Sequence, residues 1–331
     1  MIKQKYKILV ITPIKHIVGV KKILETIGSV TYKENPSYNE IKKTIKNFDA
    51  IYTNPNKSNV IIDKDLINSA KNLKVICTAS TGTNHIDMNY ANQIGVHVIN
   101  LKNERQVINK ISSTAEHALA LTLSSLRNII SSSESVKKGK WDYTSYIGRQ
   151  LNHLKIGIIG YGRLGKFYSR YMQSFKSKII VFDPYKKVNS RLITQTNNIN
   201  YLFKNSDIIS IHVHFNNETN EMINKKSLAL MKEDVIIVNT SRGEIVHESD
   251  LIDFIKKNKK AKYATDVLSN EVSNKKNNLL RRFSKKNNQV LITPHIGGMT
   301  NEAQKIAFSF VAKKLKYYFK YQLKSNKRKI H

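Results

Sequence analysis

The chain has 331 residues with 40% apolar and 24% charged side chains, room for two domains of roughly 100 to 200 residues each, and its 13 Gly and 5 Pro exclude collagenous or disordered composition. A single cysteine, Cys77, excludes an internal disulfide framework. With no CxxC or Cys/His cluster it also excludes the usual structural zinc sites, so the expectation is a reducing, cytoplasmic setting. Lys and Arg number 56 against 24 Asp and Glu, a net +32, yet only ten are Arg and the Lys are scattered through every predicted helix; this is a solvated exterior and argues against a nucleic-acid partner.

The start, Lys3, Lys5 and Lys7 followed by Ile8 to Ile14, imitates a secretory signal but has a short apolar stretch and no small-residue cleavage site, so it reads as a first strand. Nowhere do about 18 apolar residues run together, so no membrane span is expected. Short β-like runs then alternate with amphipathic segments of helix length, the pattern of a parallel sheet with helices on its faces. Strands are predicted at Lys7 to Thr12, Ser29 to Tyr32, Ala50 to Thr53, Lys74 to Thr78 and Val96 to Asn100, with helices near 16–27, 37–47, 63–71 and 87–94. A long helical pattern from Lys110 to Lys138, stopped by Gly139, reads as a spacer between two domains.

A second α/β unit opens with the strand Lys155 to Ile159, followed at once by Gly160-Tyr-Gly-Arg-Leu-Gly165 and a helix whose Leu164, Phe167, Tyr168, Tyr171, Met172 and Phe175 share one face. Lys178 to Phe182 is the next strand and ends in Asp183. Further strands are predicted at Ile208 to His212, Val235 to Asn239, Tyr263 to Asp266 and Val290 to Thr293, and a last helix from Asn301 to about Tyr321. His212 and His214 would then face one side of a strand, a spacing open to metal; without a third ligand a packing role is preferred, and the remaining histidines and Trp141 read as structural.

The glycine run is specific because it follows a strand, opens a helix and precedes a second strand with an acidic end. Gly160 permits the tight turn, Gly162 lets the backbone approach a pyrophosphate, and Gly165 allows close helix packing, while the helix N-terminus offers N–H donors to phosphate. Asp183, 18 residues beyond Gly165, is placed to accept the adenosine ribose hydroxyls and to repel a 2′-phosphate, which favours NAD over NADP.

Six segments taken together resemble the D-isomer-specific 2-hydroxyacid dehydrogenases, a family that includes phosphoglycerate and glycerate dehydrogenases. They are Ser80-Thr-Gly-Thr-Asn-His-Ile-Asp87, Thr114-Ala-Glu-His117, the Gly160 turn, Asn239-Thr-Ser-Arg-Gly-Glu-Ile-Val246, Ala264-Thr-Asp-Val-Leu-Ser-Asn-Glu271 and Pro294-His-Ile-Gly-Gly298. The resemblance spans nearly the whole chain. It implies a Rossmann NAD-binding domain (102–299) inserted in a smaller flavodoxin-like α/β substrate domain (1–101 and 300–331), with the active site in the cleft and a homodimer formed through the NAD domain and the helix near Lys110.

Arg242 follows a predicted strand, so it should sit at the carboxyl edge of the sheet, where a guanidinium can bind the planar carboxylate and adjacent carbonyl of a 2-oxo acid. His295 follows another strand and by resemblance is the general acid that protonates the carbonyl oxygen as hydride arrives. Glu271 matches the family residue that holds that ring and favours the imidazolium. Thr240, Arg163 and Leu164 match cofactor contacts and Asp266 the position beside the nicotinamide carboxamide. Ser80, Thr81 and Gly82 match the loop whose N–H groups hold the substrate carboxylate.

Departures fall at Val272, where the family usually has Pro, in the polar stretch Ser273 to Lys286, at His214, and at Ser80, Asn84 and His85; these bear on substrate identity. No appended regulatory module is expected. The resulting expectation is an NAD-dependent oxidoreductase that interconverts a D-2-hydroxy acid and its 2-oxo acid, with Arg242, Glu271 and His295 as its working trio and no metal. The alternative is an NAD-sensing, corepressor-like protein of the same fold, and Glu271 argues against a formate dehydrogenase of the same superfamily.

Overall fold

In the computed structural model, which describes residues 6–55, 60–271 and 276–322, the chain forms two compact units, Met1–Ile111 with Gly298–His331, and Ser112–Gly297. Val272, the first residues of the polar stretch after it and the Lys-rich C-terminal tail lie outside the described residues.

The first unit runs β1 (Lys7–Val10), α1 (Val20–Glu25), β2 (Ser29–Tyr32), α2 (Tyr38–Thr44), β3 (Ala50–Thr53), α3 (Lys64–Ser69), β4 (Val75–Thr78), α4 (Met88–Gln93), β5 (His97–Ile99) and α5 (Arg105–Ile108). Its sheet is parallel throughout, in the order β2-β1-β3-β4-β5. Every residue of β3 and β4 is buried, as expected of central parallel strands covered by helices on both faces, where each enclosed Ile or Val contributes about 1.5–3 kcal/mol. Local chemistry sets the helix starts. Ser37 and Glu40 form a capping box, and the Asp63 and Asp87 carboxylates accept N–H groups of the first turns of α3 and α4. The last helix returns to this unit and packs on α1 and α5, where Lys314 pairs with Glu104.

The second unit opens with α6 (Ser113–Leu126) and α7 (Ile129–Lys137). The single long helix expected from Lys110 to Lys138 is broken: Asn128 adopts φ 53, a left-handed conformation that Asn tolerates, and the Lys262 ammonium holds the break by donating to the Ser125 carbonyl and the Asn128 side chain. Nor is α6 a free spacer. Ala115, Ala118 and Leu121 are buried, and the Thr122 hydroxyl meets the Tyr168 hydroxyl at 2.7 Å.

The chain continues through β6 (Lys155–Ile159), α8 (Arg163–Ser174), β7 (Lys178–Phe182), β8 (Ile193–Thr196), α9 (Ile199–Asn205), β9 (Ile208–Ile211), α10 (Lys225–Leu228), β10 (Ile236–Asn239), α11 (Glu248–Lys257), β11 (Lys262–Thr265), α12 (Leu279–Ser284) and β12 (Val290–Ile292), and α13 (Asn301–Tyr317) completes the first unit. The second sheet is parallel, ordered β12-β11-β10-β9-β6-β7-β8. Because all strands run the same way, their carboxyl ends share one edge, and the strand order reverses between β6 and β9, the place where open α/β sheets bind ligands. β8 was not expected; it is an edge strand with one buried residue and little apolar signal.

Candidate active site

The glycine turn lies beside that reversal. Gly160 has φ +92, and a side chain there would strike the His212 carbonyl at 2.7 Å. A Cβ on Gly165 would lie 2.0 Å from the Gly160 carbonyl oxygen, so only glycine lets α8 start this close to β6. Gly162 differs: a Cβ there would meet nothing within 4 Å. It stands at the N-terminus of α8, where it provides no side-chain cap, so the first turn with Arg163 and Leu164 sets the positive end of a helix dipole beside this unobstructed glycine.

Asp183 follows β7 and folds back on the turn. Its carboxylate accepts the Tyr161 N–H at 2.7 Å on one oxygen and the Tyr185 and Lys186 N–H groups at 2.8 and 2.9 Å on the other. On the other side of the reversal, Thr240 follows β10; its hydroxyl oxygen is buried with no hydrogen-bond partner among the described residues. An uncapped helix N-terminus, an unobstructed glycine and an orphaned hydroxyl at one sheet edge fit a pyrophosphate-bearing dinucleotide.

Arg242 is placed by Asn239, whose side chain donates to the Arg242 carbonyl and accepts the Ser241 N–H. A Cβ on the next residue, Gly243, would lie 2.0 Å from the Leu268 carbonyl carbon, so the Arg242 loop rests directly on the loop that carries Glu271. Glu271 Oε1 and His295 Nδ1 are 2.5 Å apart. Burial pushes the Glu271 carboxyl up, but the His295 hydrogen bond and charge, the Leu268 N–H and the Arg242 charge hold it below the usual carboxylate range. His295 adopts φ 57, a conformation rare for non-glycine residues, of the kind that collects at functional sites. The structure thus brings Glu271 and His295 into contact with Arg242 nearby.

Asp266, just past β11, is buried and accepts the Thr293 hydroxyl and the Ile296 and Gly297 N–H groups. The Nε2 atom of His117, on α6, lies 2.8 Å from the Thr293 hydroxyl and 3.3 Å from Asp266. Among the histidines read as structural, His117 thus stands in a side-chain network with Thr293 and Asp266. Its motif was legible, but no spacing joins His117 to a hydroxyl 176 residues away. Glu244 and Glu248 were also missed; they accept the Asn270 and Ser269 N–H groups and so hold the loop that presents Glu271.

The paired reading of His212 and His214 fails in its geometry. The strand ends at Ile211; the His212 ring turns to Ser210 at 2.8 Å and packs on Tyr168, while His214 is exposed. In the first unit Ser80, Thr81 and Gly82 follow β4 at the carboxyl edge of their own sheet. The Ser80 hydroxyl donates to the Gly82 carbonyl within this loop.

Residues 119–297 match the sequence model of the D-isomer specific 2-hydroxyacid dehydrogenase NAD binding domain, and a D-3-phosphoglycerate dehydrogenase of Methanocaldococcus jannaschii is 33% identical over 97% of this chain. The chain belongs to that family. It spans 59% of the length of the Methanocaldococcus relative. A hydroxypyruvate reductase of Thermotoga maritima is 34% identical over 82% of this chain and 85% of its own length. Among solved structures, a D-lactate dehydrogenase from Aquifex aeolicus complexed with NAD and lactic acid superposes with a TM-score of 0.79 at 25% identity, covering 96% of both chains. The second unit of this 2-hydroxyacid dehydrogenase homologue therefore carries the family's NAD binding domain, and NAD is its cofactor. Among the described residues no helix is long and apolar enough to cross a membrane.

Proposed function

We propose that this chain is an NAD-dependent oxidoreductase that interconverts a D-2-hydroxy acid and its 2-oxo acid. The observation that carries this is the Glu271–His295 pair beside Arg242, on the sheet edge where the Gly160 turn opens. Bound NAD supplies or takes up the hydride. Gly160, Gly162, Gly165 and the first turn of α8, with Arg163 and Leu164, cradle its pyrophosphate. Asp183 takes the adenosine ribose, Thr240 gives its orphaned hydroxyl to the cofactor, and Asp266 orients the carboxamide.

Arg242 binds the substrate carboxylate and the neighbouring oxygen with two parallel donors, which fixes the oxo carbon in one orientation. Glu271 engages Nδ1 of His295, so Nε2 is the nitrogen that delivers a proton to the carbonyl oxygen during reduction and withdraws it during oxidation. The carboxylate stabilises the imidazolium in the first direction and the charge that develops in the second. Residues up to 101 and from 300 onward serve as the substrate domain, in which the Ser80, Thr81 and Gly82 loop offers N–H donors suited to a carboxylate.

The second unit also exposes Trp141, Tyr143 and Ile147 at 90%, 83% and 76% in the segment after α7, with Ile130 and Val136 of α7 exposed as well. Large apolar side chains this exposed, clustered along one segment, support a homodimer through this unit. The deciding experiment is NADH oxidation with a panel of short 2-oxo acids, hydroxypyruvate and its phosphate ester among them. Turnover lost in Arg242→Lys establishes the activity, and no turnover with any member defeats it. Retention on heparin through moderate salt, with no turnover, would favour the corepressor-like reading instead.

A further inference from the structure

Three hydrogen bonds converge on one buried carboxylate at the edge of the second sheet. Asp266 is 2% exposed; its Oδ1 accepts the Thr293 hydroxyl at 2.6 Å and the Ile296 N–H at 2.9 Å, and its Oδ2 accepts the Gly297 N–H at 2.7 Å. Behind Thr293 stands His117, whose Nε2 lies 2.8 Å from Thr293 Oγ1 and 3.3 Å from Asp266 Oδ1. A threonine hydroxyl has one proton. Since the shorter contact directs it to Asp266, the Thr293 oxygen receives from the imidazole, so Nε2 of His117 bears the hydrogen whether the ring is neutral or charged.

The arrangement is asymmetric. Oδ1 accepts from Thr293 and Ile296 and lies 3.3 Å from His117 Nε2, whereas Oδ2 has a single donor among the described residues and keeps a lone pair. The two amides that hold this carboxylate belong to the residues immediately after His295, so its orientation also sets the backbone that presents the proton donor. Burial pushes the Asp266 carboxyl up, yet His117, Thr293 and the two amides hold it below the usual range. Packing does not explain His117: α6 is anchored by Ala115, Ala118 and Leu121, and Thr293 would satisfy Asp266 without an imidazole behind it.

We propose that His117 is a positioning residue for the cofactor, acting through Thr293 to fix the Asp266 carboxylate so that Oδ2 is directed to the nicotinamide carboxamide and the His295 segment is held in register. This rests on the reading above that Asp266 serves the carboxamide, and it assigns the histidine of the Thr114-Ala-Glu-His117 motif a role in binding the nicotinamide end rather than in packing.

The test is NADH affinity by fluorescence titration of the full chain, with the amide resonances of Ile296 and Gly297 followed without cofactor. His117→Ala should weaken NADH binding by roughly tenfold and move both resonances, while the thermal midpoint stays near wild type. His117→Gln, whose amide can still donate to Thr293, should recover affinity to within roughly threefold of wild type. Thr293→Val should weaken binding as His117→Ala does, and the double variant should be no worse than the worse single one, because both act through one route. NADH affinity unchanged in folded His117→Ala, or effects that add in the double variant, would overturn the proposal; if the alanine variant does not fold, His117→Gln against Thr293→Val decides it. A wild-type chain that binds NADH yet reduces no 2-oxo acid would defeat the activity alone, and the affinities would still decide the role of His117.

Discussion

Glu271 and His295 stand 24 residues apart in sequence and meet at 2.5 Å, at the ends of two loops that follow neighbouring strands β11 and β12. The contact ties the proposed proton donor to its carboxylate. His295→Ala should lower kcat by roughly 10²–10⁴-fold with NADH affinity nearly intact, and Glu271→Gln, which keeps the shape and removes the charge, should cost less. Glu271 is held low, so the pair's contribution to stability is complete above the ordinary carboxylate range and is lost as pH falls through the lowered value. Steady-state kinetics beside NADH titration would expose a failure, namely full turnover without the imidazole.

Two glycines of one turn should respond in opposite ways. Gly165→Ala places a methyl 2.0 Å from a carbonyl oxygen and should cost about 1–3 kcal/mol of stability. Gly162→Ala meets nothing within 4 Å, so it should leave stability within about 1 kcal/mol while impairing NADH binding. Thermal melts alongside binding titrations separate the two.

In the proposed function Asp183 carries the nucleotide preference. Replacement by Ser removes the charge that opposes a 2′-phosphate and should shift the ratio of kcat/KM for NADH over NADPH by roughly tenfold or more toward NADPH. It also strands the Tyr161, Tyr185 and Lys186 amides, so some loss with both cofactors is expected. An unchanged ratio would remove Asp183 from the ribose.

His212 makes the second unit acid-sensitive. Burial pushes its pKa from 6.5 to about 3, so the folded state keeps the ring neutral while an unfolded chain binds a proton. Its contribution is therefore intact above pH 6.5 and drains away as pH falls toward about 3, by at most about 1.4 kcal/mol per pH unit. His212→Gln should flatten that part of the stability curve, measured by denaturant melts at successive pH values.

The exposed segment after α7 predicts association. If the proposed dimer forms through this segment, the wild type should sediment as a dimer and Trp141→Glu combined with Ile147→Glu as a monomer in sedimentation velocity, with the fold retained by circular dichroism. Identical sedimentation of both proteins would place any interface elsewhere.

What the residues settled alone was whatever chemistry is contiguous. The Gly160 turn, its flanking strands and the acidic end of β7 lie within one βαβ segment, so spacing conveyed their geometry directly. The alternation of buried strands with helices likewise announced a parallel sheet, since only a strand covered on both faces reads as an unbroken apolar run. β8 escaped because an edge strand with one buried residue has no such run, and the break at Asn128 escaped because the lysine that stabilises it comes from a distant strand. Only tertiary structure set Glu271 against His295 and His117 behind Thr293 and Asp266. These contacts close loops of 24 and 176 residues, and such distances are fixed by the shared edge of a folded sheet, never by spacing along a chain.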